Sequence, residues 1–421
     1  MLGSMKMATI AIASILVVSG LGLVLLSQES DGYRSTDFPE RLMIFGNANN
    51  DDYLDEDDIT TLEKIIAGEL DAEDHPLADA NQDGVIDQKD IDMVRKMIDR
   101  EPMEIYYLNA HGDVKSVQYP VGDVAVVGTG IMGAVMSIGA DEKVAARSFG
   151  ATYDRTLIGD LYDVPIISDS LFRADVELVS NIDGITAILT QESTRYVQNA
   201  DVFENAGIDV IRIAATDGLD TIGGILTLGY LLGFEEQANE YVRFCDEIIS
   251  YINDRVGPDM MADDERVTSL SVVMINSVSG KDSAYFSATQ IAGSINLADW
   301  DDTTQRFQEG DEWLLSYDPD FIIHARGIGY GDVDIQATWD QYGQYFTEMR
   351  AYKEGNYHIL NGNPPVIVRI AYIASIFYPD IIGEDFGDIK HQEFLDKFSN
   401  ADNLNVKEDV VSTINVHMLA A

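Results

Sequence analysis

Between Met103 and Leu360 the sequence alternates short apolar runs with helical patterns, and this alternation restricts the fold more than any other feature. "DVAVVGTG", "GITAILT", "IDVIRIA", "LSVVMIN", "DFIIHAR" and "NYHIL" read as buried strands, with helical spacing between most of them. Strands separated by helices build parallel α/β layers, because a parallel connection must cross over the sheet. Ahead of them, "EIYYLNAHGDVKSVQYP" alternates apolar and polar residues around His111-Gly112-Asp113, the pattern of a β-hairpin. One segment interrupts the alternation. In "FEEQANEYVRFCDEIISYINDRV", Phe234, Ala238, Tyr241, Cys245, Ile248 and Ile252 recur at three- and four-residue steps. Helical throughout, it would run about 34 Å, enough to leave one lobe and reach another. Two α/β lobes with a stiff connection are therefore expected.

The region before Met103 is governed by a duplication. Asp79–Asp90, "DANQDGVIDQKD", has oxygen-bearing side chains at positions one, three, five, nine and twelve, and Gly84 at position six. That is the ligand order of a calcium loop, whose sharp turn needs a residue tolerant of positive φ. Asn47–Asp58, "NANNDDYLDEDD", repeats the spacing 32 residues earlier (79 − 47). The expected ligands are Asn47, Asn49, Asp51, Asp55 and Asp58, then Asp79, Asn81, Asp83, Asp87 and Asp90. The carbonyls of Tyr53 and Val85 would supply position seven, giving two Ca²⁺ sites. Each loop runs into an amphipathic helix, "ITTLEKIIAG" or "IDMVRKMIDR", but neither is preceded by one. This duplicated loop and exit helix resembles a type I dockerin over residues 45–100. The first loop departs at position six, where Asp52 replaces glycine. The resemblance implies a cohesin partner, although Glu56-Asp57 and Gln88-Lys89 at positions ten and eleven are not the family's Ser/Thr pairs. A calcium-stapled spacer, unfolding alone on chelation, fits equally well.

Met7–Leu26 carries no charge, with Lys6 before it and Glu29 and Asp31 after. Twenty such residues span a hydrocarbon core, and the single Lys places the remainder on the extracytoplasmic side. A membrane anchor is expected, with secretion after signal cleavage as the alternative. Cys245 is the single cysteine, so no intrachain disulfide can form. The formal charge of −46 excludes nucleic acid as a partner, since phosphate binding needs clustered Lys and Arg.

The order of segments from Glu104 to Asn400 resembles the class III solute-binding proteins that serve ABC importers of ferric siderophores, haem and cobalamin. "PVGDVAVVG" after the hairpin, "SIGADEKVAARS", "LGYLLGFEEQANEYVRFCDEI" and "RIAYIASIFYPDII" carry it, with "IAGSINLADW", "EWLLSYDPDFII" and "AYKEGNYHIL" between the last two. The resemblance implies an α/β protein of two Rossmann-like parallel lobes joined by a long helix. A small all-α calcium-loop domain and an N-terminal transmembrane helix precede it. The divisions are 1–30 for the anchor, 40–101 for the loop repeats, 103–219 for lobe one, 220–256 for the joining helices and 267–400 for lobe two. Residues 401–421 form a tail with no assigned role. A metal chelate, a ferric siderophore before haem or cobalamin, and an ABC permease are the implied partners, and no enzyme activity is implied.

Ligands of parallel α/β lobes lie beyond the carboxyl ends of strands. Lobe one then offers Thr129, Met132 and Ser148, with Phe149 and Tyr153, and next Gln191, Ser193 and Arg195. Lobe two offers Asn276, Ser277, Lys281 and Tyr285, followed by His324, Arg326 and Tyr330, and finally Asn361 and Asn363. Lys281 and Arg326 are the expected cations for an anionic chelate. In the resembled family an acidic residue on each lobe meets permease arginines. The lobe-one position falls on Gly133, and Glu142 and Glu312 lie nearest the landmarks.

Other chemistries fit less well. "GTGIMG" follows a strand and opens a helix, but it lacks the third-glycine spacing and the acidic ribose partner of a dinucleotide site. Of six histidines only His324 falls on an expected cleft loop, too few for a zinc carrier. No Gly-x-Ser-x-Gly elbow is present. An uncharacterised enzyme on the same fold and a calcium-dependent cell-surface scaffold or adhesion protein remain as alternatives.

Overall fold

The computed structural model describes residues 41–420, except 152–153, 171, 216–219, 275–276, 282, 301–303, 307–314 and 402. The expected hairpin is formed by β1 (Met103–Leu108) and β2 (Val114–Tyr119), paired antiparallel from Met103↔Tyr119 to Leu108↔Val114. Asn109 makes its turn, the side-chain oxygen accepting the N–H of His111 at 2.8 Å and of Asp113 at 3.0 Å. Lobe one is a parallel sheet of β3 (Asp123–Val127), β4 (Val144–Arg147), β5 (Ile185–Gln191) and β6 (Asp209–Ile213), in the order β4-β3-β5-β6. Val124, Ala125, Val126 and Val127 are all buried, as a strand covered on both faces requires.

Lobe two contains β7 (Thr268–Met274), β8 (Ser277–Ser279), β9 (Ile295–Asn296), β10 (Thr304–Arg306), β11 (Phe321–Arg326), β12 (Tyr357–Asn361) and β13 (Thr413–Ile414). Its sheet runs β10-β8-β7-β11-β12-β13, with β9 beside β7. The parallel centre of β7, β11 and β12 was expected, and the antiparallel additions were not. The tail gains a role from this. Residues 413–414 pair with Ile359 and Leu360, and the Asn361 N–H donates to Ser412 O at 2.9 Å, which closes an edge of the sheet.

The joining helix Glu235–Val256 has 22 residues and follows Asp220–Leu232. Tyr241, Cys245, Ile248 and Ile252 are buried in a core shared with the lobe-two helices Val366–Phe377 and Phe386–Phe398. Burial pushes the Cys245 thiol far up, so it is a core residue rather than a nucleophile.

Each loop of the N-terminal repeat leads into a helix, Glu56–Ile66 or Gln88–Ile98, as expected. Asp55 and Asp87 cap these helices, and Asp58 and Asp90 complete the capping boxes. The packing does not stop at the boundary with lobe one. Ile44 is fully buried and bridges to Tyr107 of the hairpin. Phe45 N–H donates to Tyr106 O at 2.9 Å, and Leu108 N–H to Met43 O at 3.0 Å. Arg100 pairs with Glu235 at 2.6 Å, and Arg41 pairs with both Asp52 and Asp246. The repeat is therefore no loose spacer, because its core residues belong to the same apolar cluster as lobe one and the joining helix. No described helix is long and apolar enough to cross a membrane, and the expected anchor at 1–30 lies outside the described residues.

Candidate functional site

Lobe one, lobe two and the joining helix enclose a cavity of about 730 Å³. Helix starts dominate its walls. Thr129 and Gly130 open the helix Thr129–Ser137, whose cap position, Gly128, gives no side-chain hydrogen bond. Ser283, Ala284 and Tyr285 open Ala284–Ile291, with the Ser283 hydroxyl accepting the Tyr285 N–H. Pro364, Pro365 and Val366 open Val366–Phe377, also without a side-chain cap. Thr221, in the first turn of Asp220–Leu232, lines the cavity as well. Unpaired N–H groups and aligned peptide dipoles make each such end locally positive.

Arg369, one turn into Val366–Phe377, is the one Lys or Arg among the described residues lining the cavity. Its guanidinium carbon lies 5.6 Å from the Tyr285 ring centroid, and its buried Nε has no hydrogen-bond partner among the described residues. Across from it, the Gln191 side-chain oxygen accepts the Gly130 N–H at 3.0 Å. Gly128 must be glycine. Its φ is +127°, and a Cβ there would sit 2.6 Å from that same oxygen. The glycines of "GTGIMG" thus bring backbone N–H groups to the cavity. Tyr196, whose hydroxyl burial pushes up, and Tyr241 of the joining helix add aromatic wall, and Glu192 adds a carboxylate.

Of the expected ligand contacts, Thr129, Gln191, Ser193 and Tyr285 line the cavity, while Phe149, Arg195, Lys281, His324, Arg326 and Tyr330 do not. Tyr153, Asn276 and Glu312 lie outside the described residues. Strand parity turns His324 into the core, where its Nδ1 meets the Tyr357 hydroxyl at 2.8 Å and burial depresses its pKa to about 3. Arg326 lies over the Tyr342 ring at 4.7 Å instead of facing a ligand. The Tyr330 hydroxyl meets His391 Nε2 at 2.7 Å, which makes it part of a buried network rather than a wall. Phe149 and Arg195 are exposed, and exposed Lys281 donates its backbone N–H to Trp300 O. Asn363 bridges the lobes, donating to Asp154 Oδ2 at 3.1 Å. Exposed Glu142 follows Asp141, which accepts from Asn400, whereas Gly133 faces the cavity rather than an outer surface.

Strand ends do not point to Arg369, because this cation stands in the first turn of a helix. Its signal was present in "NPPVIVRIAYIASIF", a lone arginine in an otherwise apolar run behind two prolines.

The two acidic loops share one internal pattern. The twelfth-position carboxylate accepts from position three at 3.2 Å and from position nine at 2.8 Å in both, through Asp58 in one and Asp90 in the other. Asn50 and Gln82, both at position four, have positive φ, and Gly84 does too. Asp52, standing where glycine was expected, instead engages Arg41. Burial beside Asp51 and Asp55 pushes Asp58 up to about 7, and Asp90 is raised in the same way. An all-oxygen set of carboxylates, amides and carbonyls suits a hard cation. Against that, Asn49 donates to Asp51, the Lys89 ammonium is 2.7 Å from Asp83, and no three His, Cys, Asp or Glu side chains among the described residues form a ready metal cluster.

No protein-family profile matches the chain, and no curated protein sequence does. Solved structures do. The TroA-like periplasmic binding protein FepB of Veillonella parvula is 18% identical, with a TM-score of 0.55 over 73% of this chain and 98% of that one. An ABC transporter solute-binding protein of Sulfurospirillum deleyianum matches at 14% identity and TM-score 0.56, over 72% and 98%. The molybdate periplasmic binding protein MolA of Haemophilus influenzae matches at 15% and 0.54, over 70% and 97%. At these identities the likeness is one of architecture. The chain has the two-lobed α/β fold of periplasmic solute-binding proteins.

Proposed function

We propose that the chain is an extracytoplasmic solute-binding protein that captures an anionic metal chelate between its lobes and delivers it to an ABC permease. One observation carries this reading. Helix N-termini, among them those of Thr129–Ser137, Ala284–Ile291 and Val366–Phe377, line one cavity together with Arg369 in a chain of net charge −46. Such an arrangement favours a ligand with negative charge, with Glu192 the one carboxylate among the described lining residues. The size of the cavity favours a bulky chelate over a small oxyanion, which would leave most of 730 Å³ unfilled. A ferric siderophore is the first choice, haem and cobalamin the next. Arg369 would bind the anionic face, Tyr285 and Tyr196 would pack on the organic frame, and Gln191 would orient it. Exposed Glu142 would meet the permease.

The apolar run at 7–26 would tether the protein to the membrane. The two acidic loops would each hold Ca²⁺ through the side chains of positions one, three, five and twelve, and their exposed tenth and eleventh positions would meet any cohesin. Titrating the protein with ferric siderophores, haem, cobalamin and molybdate, with intrinsic fluorescence as readout, tests the central reading. Saturable binding of a chelate by the wild type, weakened in Arg369→Ala, supports it. Binding of molybdate or a bare metal ion alone would overturn it.

A further inference from the structure

We propose that Asn363 and Asn400 form a two-point latch that holds lobe two against lobe one beside the cavity, so that ligand exchange waits on its release. The control of exchange rests on the ligand reading above, whereas the latch itself does not.

Both asparagines follow lobe-two elements, Tyr357–Asn361 and Phe386–Phe398, and both act on one short lobe-one helix, Arg155–Ile158. At the start of that helix, Asn363 Nδ2 donates to Asp154 Oδ2 at 3.1 Å, while Asp154 Oδ1 accepts the Thr156 N–H at 2.9 Å as the cap. At its end, Asn400 N–H donates to Leu157 O at 2.9 Å. Asn400 Nδ2 donates to Ile158 O at 3.2 Å and to the Asp141 carboxylate. The opposite lobe thus clasps the helix at both ends. The residue after it suits this approach. Gly159 has φ +53°, and a Cβ there would sit 3.1 Å from the Asn400 Cβ, tighter than ordinary contact.

The lobe-two side of the latch is held ready. Asn363 Oδ1 accepts the Gly329 N–H at 3.1 Å, and the Asn363 N–H donates to Asn361 Oδ1 at 3.1 Å. Buried Asn361 donates in turn through Nδ2 to Gly329 O at 3.0 Å and to Val411 O at 3.2 Å. The C-terminal tail therefore buttresses the latch as well as closing the sheet. A side chain fixed through its own oxygen and its backbone gives up little freedom when it donates across to Asp154. Asn363 stands between Gly362 and Pro364, which both line the cavity, so this bond crosses between the lobes beside the ligand space. A ligand enters or leaves when the lobes part, and bonds made only in the closed arrangement hold the population there.

The test uses the full chain with spin labels at Glu177→Cys in lobe one and Gln341→Cys in lobe two, both exposed positions, while buried Cys245 stays unlabelled. Double electron–electron resonance then reads the distance between the lobes with no ligand present. Asn363→Asp keeps the acceptor for Gly329 but loses the donor and sets a second carboxylate against Asp154, so it should broaden that distance toward longer values. Adding Asp154→Asn restores a donor with the direction reversed, and should restore the wild-type distance. Asn400→Ala, at an exposed position, should broaden the distance independently. With a ferric tris-catecholate as probe, stopped-flow fluorescence should show dissociation roughly tenfold faster in Asn363→Asp and near wild type in the swapped pair. A distance unchanged by Asn363→Asp and by Asn400→Ala, or a broadening that the swap leaves in place, would overturn the latch. A broadened distance with unchanged dissociation would overturn its control of exchange. If wild type does not bind the probe, the ligand reading falls, and the distances still decide the latch.

Discussion

Ile44→Ala should destabilise lobe two as much as the N-terminal repeat in which it lies. Ile44 is 0% exposed and bridges to Tyr107 of the hairpin. Truncating a fully buried isoleucine that cannot be closed over costs about 3 kcal/mol. The repeat shares one apolar cluster with lobe one, the joining helix and lobe-two helices, so that loss should appear in a single cooperative transition. The chain supplies its own reporter. Trp300, Trp313 and Trp339 all belong to the sequence of lobe two, so tryptophan fluorescence during urea unfolding reads the far end of the molecule. Far-UV circular dichroism reads all helices together. Both probes should give one midpoint, and Ile44→Ala should lower it equally in each. Arg41→Ala should act the same way at roughly 1–2 kcal/mol, since its pairs with Asp52 and Asp246 are only partly shielded from solvent. A tryptophan midpoint that stays put while circular dichroism shows a separate early step would refute the reasoning and restore the repeat as an independent domain.

Three further outcomes are expected. Arg369→Ala should weaken an anionic chelate by roughly 1.5–3 kcal/mol, the worth of a charged hydrogen bond, measured by fluorescence titration. Calcium should raise the melting temperature of the whole protein, and Asp51→Ala with Asp83→Ala should abolish that rise, with EDTA as the control; an unchanged melt in wild type would sink the assignment. His391, bonded through both ring nitrogens to Tyr330 and Tyr372, is held neutral by burial, its pKa depressed from 6.5 to about 3. The unfolded chain takes up that proton first as pH falls, so the stability it supports is intact above about 6.5 and lost progressively toward 3. His391→Gln should flatten this dependence by up to about 1.4 kcal/mol per pH unit in urea titrations at several pH values.

The parallel strands were readable because each is a buried run with few alternatives. Asp123–Val127, Ile185–Gln191 and Phe321–Arg326 are largely buried, and a mostly apolar run suits such a place. The short antiparallel pieces carry no such mark. Ser277–Ser279, Thr304–Arg306 and Thr413–Ile414 are two or three residues long, less than two alternations, and their pairing is fixed by the sheet they join. The docking of the repeat was hidden for a related reason. Arg41, Ile44 and Arg100 meet partners 63 to 205 positions away, and no local period announces a contact of that range.

The cleft was half legible, and the half that failed explains how such sites are built. Strand ends were the right place to look for loops, so Thr129, Gln191, Ser193 and Tyr285 fell into the cavity wall. The same rule misled for the charged side chains. Arg326 ends β11, yet it shares a strand face with His324 two residues before it, and both meet Tyr342 rather than the cavity. A helix entering the cleft contributes differently, since its first turn brings backbone N–H groups to the cavity, and in Val366–Phe377 the fourth residue is also among the lining. Val366–Phe377 presents Arg369 in this way, and Thr129–Ser137 presents Gly130. In a chain where acids outnumber bases by 73 to 27, the anion site proposed here would draw on helix starts and on Arg369, the one Lys or Arg among the described lining residues. Backbone dipoles would supply positive field there without adding ionisable groups, and Arg369 would fix the orientation.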